Sequence, residues 1–256
     1  MERNDSSKEH RKGWERMEKS KNFYVRLKGS YALFTNGSTK GGGEKFSYSV
    51  PTRQALNGIV DAIYYKPTFR NIVTEVKVIR PVQTEVIGTR ALIGGNKADL
   101  NYVSYLTDVE YLVKYHFEWN EGRSDLIIDR NRKKHEAIMD RSLDRGGRRD
   151  IFLGTRECVG LVEKITEEEY LNATSFYDDQ ILSFGIMFHS FNYGESKDEA
   201  LKSYYTETIM KDGVIQFKPQ IECEIVNTLT TYKFKETTEI KPVDIELDEY
   251  QQMEER

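Results

Sequence analysis

Two amphipathic helical segments break a chain otherwise written in strand periodicity, and their placement limits the folds open to it. Phe23-Tyr24-Val25-Arg26-Leu27-Lys28 alternates apolar and polar residues, as a half-buried strand does. Thr52 can cap a helix starting at Arg53, in which Leu56, Ile59, Val60, Ile63 and Tyr64 recur at i, i+3, i+4, i+7 and i+8 until Pro67 stops it. Ile72–Ile79 is β-branched and strand-like, and Pro81–Thr89 continues extended to a loop at Gly94-Gly95-Asn96. Leu112–Trp119 alternates, with Val113, Tyr115, Phe117 and Trp119 on one face and Lys114, His116 and Glu118 on the other. A second helix follows, capped by Asn131 or Asp129, with His135, Ile138, Met139 and Ser142 on one side. Ile151–Val162 reads as one further strand.

The order is therefore βαββαβ, the ferredoxin-like pattern of an α+β fold. Beyond Lys164 the texture changes. Ile181–Phe191, Tyr204–Met210, Val214–Phe217 and Ile221–Phe234 read as strands, with a hairpin signal at Lys211-Asp212-Gly213 and no helix pattern between them. The expected organisation is a polar extension over 1–21, a ferredoxin-like domain over 22–164, a small antiparallel β domain over 165–238 and an acidic flexible tail over 239–256.

Charge is placed unevenly. The net charge of −4 is misleading, because Asp244–Arg256 holds six acids and one base and contributes −5, leaving +1 for residues 1–243. Arg130–Arg149 carries eight Arg or Lys against three acids and closes on Gly146-Gly147-Arg148-Arg149. Cations beside one titratable imidazole and a glycine-rich turn suit a phosphodiester, whereas the charge run taken alone reads as a solvated basic helix. On a helix, Lys134 and His135 diverge by only about 100° and can serve one ligand. The helix N-terminus adds free N–H groups aimed at an anion.

Other chemistries lack their signatures. The histidines form no HxH or HExxH cluster and there is no DxD pair, so no metal is expected. A GxSxG elbow and a Walker loop are absent. Cys158 and Cys223 form no CxxC pair, which fits reduced thiols in the cytoplasm. With no long apolar run and no apolar signal core at the start, a soluble cytoplasmic protein without a membrane partner is expected. RNA cleavage without a metal needs a proton acceptor for the 2′-OH, a proton donor for the departing 5′-oxygen and positive charge for the phosphorane; His135, Lys134 and a nearby tyrosine would suffice. By spacing alone Tyr64 is a core tyrosine at the edge of its helix stripe.

The segments GSYALFT, GGEKFSYSVPTRQALNGIVDAIYYKP and NRKKHEAIMDRSLDRGGRRDIFLGTREC resemble the RAMP proteins of the Dvulg type from type I-C CRISPR systems. The likeness runs from about Phe23 to Phe217; the extension at 1–21 and the length beyond Phe217 depart from it. The resemblance implies a ferredoxin-like RAMP domain and a small β domain. It implies a metal-independent, sequence- and hairpin-specific endoribonuclease, needing no cofactor. That enzyme cuts CRISPR repeats in precursor RNA, leaves a 2′,3′-cyclic phosphate and stays on the crRNA 5′ handle. Its partners would be that RNA and the other subunits of the type I-C Cascade complex, with target DNA met only inside the complex. The family's catalytic tyrosine corresponds to Tyr64, and its Lys-His pair in DRNxxKH to Lys134 and His135. Lys66, Arg148 and Arg149, with the Gly146-Gly147 turn, are candidates for phosphate contact; Lys45 and Lys40 are weaker ones. Tyr65 could stack on a base or pack. The competing reading is a non-catalytic subunit that binds the crRNA handle.

Overall fold

A computed structural model describes residues 19–39, 44–93, 97–193 and 199–231. Lys40, the residues before Lys19 and the expected acidic tail lie outside the described residues. The chain is a mixed α/β fold dominated by one largely antiparallel sheet.

Strand β5 (Lys97–Trp119) is its axis. It pairs with β1 (Phe23–Ala32) on one side and β3 (Phe69–Val78) on the other. Its first half forms a long hairpin with β4 (Thr84–Ile93) and also takes the short parallel strand β2 (Glu44–Phe46). It is far longer than the Leu112–Trp119 segment read from alternation, because its first half finds a backbone partner in β4. β7 (Val159–Ile165) lies outside β1, so the central order is β3-β5-β1-β7.

Strand alternation decides the two faces. Val25, Leu27, Val113, Tyr115 and Phe117 are buried in the main core together with Leu56, Ile59, Val60 and Ile63 of α1 (Arg53–Ile63) and Met139 and Leu143 of α2 (Arg132–Leu143). Tyr24, Leu112 and Ile165 point the other way and pack with Tyr170 of a short helix, α3 (Glu167–Asn172). This helix was not expected. A reciprocal Thr166–Glu169 capping box forms it, and the Thr-x-x-Glu spacing was present in the sequence.

The expected strand Ile151–Val162 is instead a hairpin of β6 (Ile151–Phe152) and β7. Gly154 turns between them at φ +99°, and a Cβ there would lie 2.0 Å from the Leu33 carbonyl oxygen, so only glycine fits. The later strands β8 (Ile181–Asn192), β9 (Ala200–Lys211), β10 (Val214–Gln216) and β11 (Ile225–Thr231) follow the sequence signals closely. Asp212 (φ 51°) and Gly213 (φ 74°) make the tight turn between β9 and β10. β10 pairs with β3 through Ile215 and Val76, so these strands extend the sheet at its β3 edge.

Candidate active site

The two helices deliver the site because each ends or begins beside the last residues of β5. Thr52 caps α1, its hydroxyl accepting from Ala55 N at 3.2 Å. The helix stops at Tyr64, whose backbone is extended (φ −160°, ψ 123°) ahead of Lys66-Pro67. That turn directs the Tyr64 side chain inward, where it is 1% exposed. At the start of α2 the Asn131 side chain accepts from Lys134 N at 3.1 Å, deciding between the two cap candidates. The helix then buries His135 (1% exposed) with Met139, Ser142 and Leu143.

Tyr64 Oη and His135 Nδ1 are 2.8 Å apart. His135 Nε2 lies 2.9 Å from the backbone carbonyl oxygen of Asp129. A carbonyl can only accept, so this contact assigns the proton to Nε2 and leaves Nδ1 to accept from the Tyr64 hydroxyl. Phe69 and Trp119 meet the imidazole edge-on, with centroids at 5.2 and 5.9 Å. Burial lowers the His135 pKa, with the Lys134 and Lys66 charges adding to the effect and the Asp129 carbonyl opposing it. Burial raises the Tyr64 pKa, against the opposing charge of Arg148. At neutral pH the pair is therefore a neutral imidazole accepting from a protonated phenol.

The cations gather at the mouth. Lys134, half-exposed, ion-pairs with the Asp129 carboxylate, which also accepts from Thr68 Oγ1 at 2.7 Å. The hydrogen bond from Lys134, then that from Thr68, holds the Asp129 carboxyl down at about 2. The Arg148 guanidinium lies 4.7 Å from the Tyr64 ring centroid, a cation–π contact. Gly146 (φ 76°) and Gly147 (φ 104°) carry the chain off the end of α2, with Gly147 N donating to Ser142 O at 2.8 Å. Arg148 N then donates to Ile63 O at 3.2 Å, tying this turn to the end of α1. The glycine turn thus sets Arg148 on the tyrosine face.

Tyr64, Lys134, His135, Gly146, Gly147 and Arg148 therefore converge. Lys66 is exposed and close enough for its charge to act on His135. Arg149 is exposed, and its charge acts on Asp61 of α1. Lys45 is elsewhere: its strand pairs with β5 at Val103, 14 residues before Phe117, roughly 45 Å along the strand. His116 is 8% exposed and bonds to Glu118 at 2.9 Å.

Sequence reasoning missed Asp129 as the residue that grips both Lys134 and His135, having weighed it only as a helix cap. It also missed Thr68 and the aromatic wall. The position of Asp129, two residues before the cap, was the available signal. Among the described residues no group of three or more His, Cys, Asp or Glu side chains could hold a metal ion, and no helix is long and apolar enough to cross a membrane.

The family model of the CRISPR-associated Cas5 proteins, subtype Cas5d, matches residues 24–218. A CRISPR pre-crRNA endoribonuclease Cas5d from Mannheimia succiniciproducens is 25% identical over 216 residues, covering 75% of this chain and 92% of that one. A functionally uncharacterized protein from Streptococcus mutans, known by its crystal structure, is 60% identical with a TM-score of 0.72, over 82% of this chain and 98% of that one. A second crystal structure, of a CRISPR-associated protein, is 58% identical with a TM-score of 0.71 and the same coverage. With the family model spanning most of its length, the chain belongs to the Cas5 family of CRISPR-associated proteins.

Proposed function

We propose that this protein is a pre-crRNA endoribonuclease that cuts CRISPR repeat RNA at the Tyr64–His135–Lys134 centre without a metal. The observation that carries this reading is the buried Tyr64 Oη···His135 Nδ1 hydrogen bond beside a cluster of cations. Its relative from Mannheimia succiniciproducens, named a pre-crRNA endoribonuclease, supports the reaction class.

In this mechanism the neutral imidazole and the phenol form one proton-transfer unit. Tyr64 orients the attacking 2′-OH and passes its proton to His135 Nδ1; the imidazolium so formed supplies a proton to the departing 5′-oxygen. Lys134 turns from Asp129 to the phosphate and offsets charge on the phosphorane. The 2′-oxygen bonds to phosphorus as the P–O5′ bond breaks, which leaves a 2′,3′-cyclic phosphate. Lys66, Arg148 and Arg149 hold flanking phosphates, with the Gly146-Gly147 turn setting their position; Lys45 contacts RNA away from the centre. Closed as the pair is, RNA binding has to draw the Asp129 segment aside.

The same reading carries the finer architecture. Residues 22–164 form a ferredoxin-like RAMP domain, supported by the β3-β5-β1-β7 order with α1 and α2 on one face, and 165–238 an antiparallel β unit, with 1–21 and 239–256 flanking them. After cutting, the protein stays on the crRNA 5′ handle beside the other subunits of a type I-C Cascade complex in the cytoplasm, meeting target DNA only there.

The test is incubation of the purified protein with a labelled repeat hairpin in EDTA, beside His135→Ala and Lys134→Ala. A single cut by the wild type, lost in both variants while RNA binding persists, is the expected result. Tight binding with no cut by the wild type would leave a handle-binding subunit and refute catalysis.

A further inference from the structure

A groove of about 790 Å³ runs between α1, β3 and the end of β8, on the other side of the α1 terminus from His135. Its chemistry is distinctive. Arg53 lies at its base, half-buried, with its Nε donating to Val73 O at 3.1 Å; among the described residues it forms no ion pair, though the Glu118 charge acts on it from a distance. Burial lowers its pKa, so its charge sits in a poorly solvated place. Exposed aromatic rings line the same groove, Tyr65 at 47% and Phe191 at 36%. The two acids facing it are accounted for. Glu118 is paired with Lys19 at 3.0 Å and His116 at 2.9 Å, while Asp61 accepts from Asn71 Nδ2 at 2.8 Å.

The groove is also physically joined to the candidate centre. Asn71, 5% exposed, donates through the same nitrogen to Tyr64 O at 3.0 Å. Because the backbone at Tyr64 is extended, consecutive side chains point to opposite sides: Tyr64 toward His135, Tyr65 into the groove.

We propose that this groove binds a single-stranded stretch of the RNA next to the cut site, with bases stacked on Tyr65 and Phe191 and a phosphate on Arg53. The inference rests on the RNA-cleaving reading above. Aromatic rings give sequence-tolerant stacking, and a guanidinium held in no ion pair takes the phosphate between stacked bases. A duplex offers no free base faces to such rings, so the groove selects the unpaired flank of a hairpin substrate.

The experiment uses a labelled repeat hairpin with its single-stranded flanks and the same hairpin trimmed to the duplex, each carrying one 2′-deoxynucleotide at the cut site so that binding is read alone. The wild type binds the flanked RNA about tenfold or more tightly, as loss of one or two stacked bases implies. Tyr65→Ala with Phe191→Ala removes that preference while affinity for the trimmed hairpin holds. Arg53→Gln lowers the salt dependence for the flanked RNA by about one phosphate contact. Thermal unfolding of each variant separates lost fold from lost binding, and the exposed Tyr65→Ala alone, which leaves the core intact, still cuts the preference severalfold. A wild type that cuts the full repeat yet binds both RNAs equally, or variants that keep the preference, would overturn the groove and leave the nuclease reading intact. A wild type that neither binds nor cuts would overturn both.

Discussion

The coupling between Tyr64 and His135 can be measured directly. Tyr64→Phe keeps the ring, its burial and the Arg148 contact, and removes only the hydroxyl that donates to His135 Nδ1 across 2.8 Å. The imidazole is 1% exposed, so its acceptor nitrogen is left without a partner or water, at about 1–3 kcal/mol. For a chain of this size that lowers Tm by roughly 2–12 °C, at about 2–4 °C per kcal/mol. The expected loss in single-turnover cleavage is larger, about 10²–10⁴-fold, because proton transfer is interrupted. His135→Ala opens a space between Phe69, Phe117 and Trp119, costs about 2–4 kcal/mol, and stops cleavage to at least the same extent. If the two act as one unit, the double variant cleaves no more slowly than the worse single variant. The assay is single-turnover cleavage of the labelled hairpin at saturating protein, with thermal unfolding of each variant alongside. Rate losses that multiply in the double variant, or a Tyr64→Phe rate within about threefold of wild type, would refute the coupling.

Three further outcomes follow from the same geometry. His135 has a pKa lowered by burial, so its neutral form persists below the ordinary histidine value; cleavage should hold through about pH 6.5 and fall only under more acid conditions, as a pH–rate profile of k(obs) will read. Protonation favours the unfolded chain there, so stability falls as pH drops below about 6.5, where unfolded His135 and unfolded His189, the latter held at about 4 in the fold by burial, bind protons first; a urea-midpoint series against pH checks the direction. Gly154→Ala forces a Cβ onto the Leu33 carbonyl in a backbone conformation that alanine resists; stability should fall by more than about 2 kcal/mol in urea unfolding, and cleavage per folded molecule should stay unchanged.

Much of the fold was legible because local patterns agreed with their surroundings. The α1 stripe of Leu56, Ile59, Val60 and Ile63, the Thr52 cap and the Asp212-Gly213 turn all act within a few residues, and the structure uses each as the spacing implied. The alternation at Leu112–Trp119 named the buried face correctly, yet could not tell that the strand reaches back to Lys97, since β4 supplies backbone partners irrespective of side-chain pattern. Ile151–Val162 looked like one strand because its apolar residues continue across Gly154; the break comes from a close approach to Leu33, which is distant in sequence. At the site, Lys134 and His135 could be placed on one helix end from sequence. Tyr64 looked like packing, and it is packed; what spacing could not show is its 2.8 Å contact with His135, 71 residues away. Asp129 stayed hidden because its backbone carbonyl, rather than its side chain, orients the imidazole.

The central claim is that this protein cuts RNA by attack of the neighbouring 2′-OH at the Tyr64–His135 pair. The most direct measurement is cleavage in EDTA of the repeat hairpin beside an otherwise identical hairpin carrying a single 2′-deoxynucleotide immediately 5′ of the scissile phosphate, with the product ends analysed. Cleavage of the all-RNA hairpin to a 2′,3′-cyclic phosphate, and none of the deoxy hairpin although it binds equally well, is the predicted result. Cleavage of the deoxy hairpin, or cutting that appears only when a divalent metal is restored, would contradict the account.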